Sequence, residues 1–158
     1  MGAKMRLSGD GFRPLIMDLE RYSSRAGDAE PMFQGMADQV AAENLQQFTA
    51  LGAYYGARWK PLSPRYAAWK KKRYPSKPLM VLSGLLRESL TERPMGIDEV
   101  WDRGMVVGTA VPYARYHQKG NPETNLPQRK LVGRPTKAGM KRYGSFLHQW
   151  IFNGKVAA

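Results

Sequence analysis

The sequence predicts an α+β fold: a small antiparallel β-sheet packed against several helices, with one long helix and extended arms or loops. Three observations predict it. Apolar residues recur at helical spacing along most of the chain, a strand-like pattern replaces it around residues 99–107, and no repeat or low-complexity tract intervenes. The 158 residues suit one unit, 1–158, in which residues 1–11 read as a strand or arm and residues 121–129 as a flexible loop.

Taken in order, Lys4 to Ser8 reads as a short strand and Gly9-Asp10-Gly11 as its turn. Phe12, Leu15, Ile16, Leu19 and Tyr22 keep helical spacing and predict a helix over 12–24, followed by a polar loop to Glu30. Pro31 opens the longest helix, since proline's missing N–H is harmless in a first turn; Phe33, Met36, Val40, Phe48 and Leu51 form its apolar face and Gly52 stops it. Ser63 and Pro64 then form an N-cap and first helical position, opening a helix that ends before Pro75. Leu79, Leu82, Leu85, Leu86 and Leu90 predict a helix from 78 to about 89, interrupted at Ser83-Gly84.

Asp102-Arg103-Gly104 sits between Glu99-Val100-Trp101 and Met105-Val106-Val107, a β-hairpin with Gly104 at a positive φ. Pro112 precedes a short helix through Tyr113, Tyr116 and His117, closed by Gly120, and Lys130 to Val132 adds a strand. Thr136 caps a last helix whose apolar stripe is Met140, Tyr143, Leu147 and Trp150.

Charge narrows the function classes. The 25 Lys and Arg against 13 Asp and Glu leave a net charge of +12. The surplus is blocked: residues 44–87 contain no acid, whereas residues 88–102 are acidic. Fields of one sign favour anionic partners such as nucleic acid or acidic protein faces. The densest run, Lys70-Lys71-Lys72-Arg73, lies between Trp69 and Tyr74. It reads as contacts to DNA or to an acidic partner, with a solvated, dipole-complementing helix end as the plainer account. No apolar run spans a bilayer and no secretion signal is evident, so a soluble, non-secreted protein without a membrane partner is expected.

Catalytic chemistry finds little support. Zero Cys excludes thiol nucleophiles, disulfides and Cys-ligated metals. His117 and His148 belong to no metal-ligand spacing, and the pairs Glu88/Glu92 and Asp38/Glu43 read as solvated helix carboxylates. Neither a nucleophile elbow nor a phosphate-binding glycine loop occurs. No catalytic residue, metal or cofactor is expected.

Several spaced motifs remain: Trp59-Lys60-Pro61-Leu62-Ser63, Ser83-Gly84-Leu85-Leu86 through Ser89, Val107-Gly108-Thr109, Tyr113-Ala114-Arg115-Tyr116-His117-Gln118-Lys119-Gly120, and Pro127 to Gly133 with Arg129. In this order they resemble the tail-completion, or virion morphogenesis, family of tailed bacteriophages, including Mu-like tail proteins. The resemblance spans residues 5–153; its departures are the polar loop 121–125 and the missing aromatic near Lys130-Leu131. It implies a structural protein that forms a ring, sixfold like the tail, at the head-proximal end. There it would complete the tail and meet tail-tube and head-closure (neck) proteins, touching the passing genome only transiently. Its place would be the virion's tail or neck, and the host cytoplasm during assembly. Trp59, Pro61, Leu62, Gly84, Leu85, Gly108, Thr109, Tyr113, His117, Gln118, Gly120 and Arg129 would then serve structure and assembly, with Gly84 and Gly108 permitting close backbone approach or a bend. A sequence-independent nucleic-acid-binding module is the alternative, and a virion-entry hydrolase a third reading.

Overall fold

A computed structural model describes residues 12–156; the strand and turn expected over 4–11 lie outside them. Helix α1 (Arg13–Gly27) is followed by the long α2 (Glu30–Thr49), α3 (Pro64–Arg73) and α4 (Leu85–Thr91). Strands β1 (Ile97–Trp101) and β2 (Gly104–Gly108) form an antiparallel pair, and α5 (Ala114–Lys119) and α6 (Lys137–His148) complete the fold. A π-helical turn, Gln149–Asn153, extends α6. The architecture is α+β.

Helix α2 is the spine. Near its C-terminal end, Phe48 joins Trp59, Val81, Leu86, Leu90, Ala114 and Leu131 in one apolar cluster; near its start, Met32 joins Ala29 and Phe146 in another. The hairpin packs along its middle. Arg93 ties them together, reaching Asp98 of β1 at 2.8 Å and Asp38 of α2 at 2.7 Å. Asp38 is therefore an ion-pair partner, not a merely solvated carboxylate.

Between the two clusters α2 buries polar residues that its apolar spacing did not reveal. Glu43, Asn44 and Gln47 are all buried. Glu43 accepts hydrogen bonds from Arg142 (3.0 Å), Tyr143 (3.1 Å) and Gln39 (3.2 Å), joining α6 to α2. Asn44 donates to the Leu90 carbonyl at 3.0 Å. Burial and the Glu43 charge push the Tyr143 and Tyr55 hydroxyls well above the ordinary phenol range, so both stay protonated.

Several expected boundaries move. Helix α1 continues through the stretch 23–27 expected as loop. The helix expected from 78 begins only at Leu85, because Gly84 is its N-cap at φ +107°, a left-handed conformation that side chains resist. Ser63 and Pro64 hold their expected positions, although the Ser63 side chain makes no capping bond. Thr136 does cap α6, accepting from the Gly139 N–H at 3.0 Å. On α6, Met140 and Leu147 are exposed while Phe146 is buried, so the buried face differs from the expected stripe. Gly35 of α2 makes room for that face, since a Cβ there would stand 2.9 Å from the Phe146 ring.

The hairpin pairs Trp101 with Gly104, leaving Asp102-Arg103 as a two-residue turn. Gly104 does not take the expected positive φ. Its reason is steric: a Cβ would meet the Trp101 ring at 2.9 Å. Nor does Gly108 permit a close approach through its missing Cβ, where nothing lies within 4 Å. The tight position is Gly96, whose Cβ would stand 2.1 Å from both the Gly108 and Ser89 carbonyl oxygens. Thermal unfolding should separate the two: Gly96→Ala is expected to lower Tm by several degrees or more, and Gly108→Ala to stay within about 0.5 kcal/mol of the parent.

Candidate interaction site

Four motif residues, Trp59, Pro61, Gln118 and Arg129, meet at one segment, 129–132. It is not the expected strand. Its backbone is satisfied instead by side chains, as buried polar groups require. Gln118 of α5 acts as a surrogate strand: Oε1 accepts from the N–H groups of Leu131 (2.7 Å) and Val132 (3.2 Å), and Nε2 donates to the Val132 carbonyl at 2.8 Å. Two more side chains, Trp59 through Nε1 and Gln47 through Nε2, donate to the Lys130 carbonyl, each at 2.7 Å. Arg129 completes the web, donating to the carbonyls of Lys60 (2.8 Å) and Pro61 (2.9 Å). The loop carrying Trp59 and Pro61, the end of α2, α5 and the segment at Arg129 are thus one hydrogen-bonded unit. Gln47 escaped the sequence reading; a glutamine one residue before Phe48 on an otherwise apolar face was the available signal.

The other motif residues lie around this unit or away from it. Gly120 ends α5 at φ +81° and keeps close contact with Gln128, whose N would lie 3.0 Å from an added Cβ. The loop after it is closed by a bridge between Asn121 and Leu126. The Thr109 hydroxyl meets that of Ser89 at 2.7 Å, pinning the end of β2 to α4. Leu85 is about half exposed, and Tyr113, also partly exposed, packs edge-on against His117.

A cavity of about 630 Å³ opens beside the web, between α3, the 80–86 segment, α5 and the 124–129 loop. Its walls are mostly apolar, from Leu62, Met80, Val81, Leu86, Leu126 and Pro127. Three basic side chains also line it: Lys70, His117 and Arg129. Lys70, expected among the outward basic contacts, is instead only 6% exposed and donates to the Pro78 carbonyl at 2.6 Å. Its long stem folds back because the chain turns at Pro75 and brings that carbonyl within reach. Lys71, Lys72 and Arg73 stay exposed. Trp69, exposed beside them, is stacked on Tyr66 at 5.2 Å and meets Tyr74 edge-on at 5.7 Å, so much of its ring is already occupied.

Arg129 is 3% exposed. Among the described residues, no carboxylate lines the cavity or pairs with Lys70 or Arg129. Burial pushes the pKa of both below their ordinary values. His117 Nδ1 is buried without a hydrogen-bond partner. Burial, and then the Arg129 charge, hold its imidazole below the ordinary 6.5. In that window the unfolded chain binds the proton more readily, so stability is full above about pH 6.5 and is lost as pH falls toward the folded value. His117→Gln should therefore flatten the decline of Tm between about pH 7 and about pH 5. No group of three or more His, Asp and Glu suited to a metal occurs among the described residues.

The profile of the phage virion morphogenesis family matches residues 12–149, nearly the whole chain. The chain belongs to this family. No curated protein and no solved structure gives a match. Membership makes it a phage morphogenesis protein associated with the virion. No described helix of this family member is long and apolar enough to cross a membrane.

Proposed function

We propose that the protein is a structural component that closes into a ring at the head-proximal end of the phage tail, completes it, and joins it to the neck. One observation carries the assembly part of this reading. Helix α1 presents Phe12, Leu15, Ile16 and Leu19 on one stripe, each 47–57% exposed, and buries no residue of its own. It is held at its far end, where Tyr22 packs edge-on against Phe152 at 5.2 Å and Trp150 donates to the Arg25 carbonyl at 2.8 Å. A helix draws most of its stability from burying an apolar face. That face is uncovered among the described residues and calls for a partner.

A second, unlike patch supports a head-to-tail arrangement. Met95, Ile97, Trp101 and Val106 lie exposed on and beside the hairpin. Two unlike faces on one chain pair heterologously, and heterologous contacts that close by rotation form rings. The exposed Lys71, Lys72 and Arg73 serve acidic faces of neighbouring rings, with only weak attraction to passing DNA, since tight phosphate binding would impede ejection. The reading as a nucleic-acid module rests on charge and on Trp69, whose stacking on Tyr66 weighs against it. An amber codon in this reading frame of the parent phage tests the assignment. Filled heads and separate tails of irregular length, seen by electron microscopy, are expected; normal joined particles would refute it.

A further inference from the structure

The assembly reading does not use the cavity, yet the cavity has an unmet chemical need. Lys70 and Arg129 bring two positive charges into mostly apolar walls with no anion facing them among the described residues. Burying a charge without a counter-charge is costly, and hydrogen bonds to neutral carbonyls offset only part of that cost. Donors remain free for it. Arg129 spends only Nε and Nη2 on the Lys60 and Pro61 carbonyls, Lys70 spends one of three N–H groups on Pro78, and His117 Nδ1 spends nothing.

We propose that this cavity is a carboxylate-recognition site that receives an acidic peptide segment of a neighbouring protein. An Asp or Glu side chain pairs with Arg129 and Lys70, His117 supplies a further polar contact, and apolar residues flanking the carboxylate pack on Leu62, Val81 and Leu126. The apolar lining favours a peptide over a nucleic-acid backbone, because a phosphate brings strongly hydrated sugar and phosphate neighbours that these walls would strip of water. The volume, about 630 Å³, lies within the roughly 300–1,000 Å³ usual for ligand pockets and admits several side chains. Identification of the neighbour as a virion protein rests on the assembly reading; the carboxylate site itself does not.

The test titrates the full chain with the peptide acetyl-Ala-Leu-Glu-Leu-Ala-amide while the His117 ring signals are followed by NMR. A saturable shift with a rise in the His117 pKa is expected, and the Gln version of the peptide should bind about tenfold more weakly or worse. Lys70→Met should weaken binding by a similar factor while leaving Tm unchanged or raising it, since it removes a buried charge whose one partner among the described residues is the neutral Pro78 carbonyl. Silence of His117 at millimolar peptide overturns the proposal. So does equal binding of the Gln peptide, or displacement of the peptide by inorganic phosphate or a short oligodeoxynucleotide. A Lys70→Met variant that unfolds would show that the charge is structural and count against it. Assembly is read separately, by mass, so the two readings can fail independently.

Discussion

Trp59→Ala should remove about 3–5 kcal/mol of stability and lower Tm by roughly 10 °C or more. The residue is buried against Phe48 with ring centroids 5.2 Å apart, and its indole N–H holds the Lys130 carbonyl. Gly52 has no room for a side chain because the Trp59 ring would lie 2.5 Å from its Cβ, so the surroundings are moulded to this ring and will not collapse into the hole. The loss should spread along the web. Arg129 is anchored to the carbonyls of Lys60 and Pro61, the two residues after Trp59, and its position in the cavity depends on that loop. Trp59→Phe keeps most of the packing and loses the hydrogen bond, a cost of about 1 kcal/mol. Chemical denaturation of the two variants beside the parent checks the order.

The second large effect concerns assembly and should leave the fold intact. Replacing Leu15, Ile16 and Leu19 with serine removes apolar area that a single chain already exposes, so the Tm of the isolated chain should change little. If a neighbouring subunit covers this stripe, the same change forfeits about 4 kcal/mol or more of contact, roughly a thousandfold in association. Sedimentation of the triple variant should then show a folded monomer under conditions where the parent is oligomeric. Unchanged sedimentation would remove α1 from the interface.

Much of the fold was legible because its signals are local. Pro31 starts α2, Thr136 caps α6, Gly120 ends α5, and the hairpin follows from strand residues on either side of a turn. Periodicity also identified which residues of α1 share a face. It did not say whether that face is covered, since covering is supplied by other elements or other chains; the exposed stripe of α1 and the exposed Met140 and Leu147 of α6 have this common cause. The segment 130–132, expected as a strand, has a paired backbone, but the partners are the side chains of Gln118, Trp59 and Gln47, which sequence spacing does not bring together. Lys70 was indistinguishable from its neighbours in a basic run until the chain reversal at Pro75 placed the Pro78 carbonyl over it. The candidate site was thus legible as a set of motifs and illegible as a cavity: the family resemblance named Trp59, Gln118 and Arg129, and only their convergence exposes the pair of unmatched cations.

The measurement that bears most directly on the central claim is the mass of the purified protein by native mass spectrometry or light scattering, alone and then with tail tubes of the parent phage. The account predicts a closed oligomer of defined number, formed by the protein itself or on the tube end, and its disappearance in the α1 triple variant. A protein that stays monomeric at high concentration and leaves tube ends bare would contradict it.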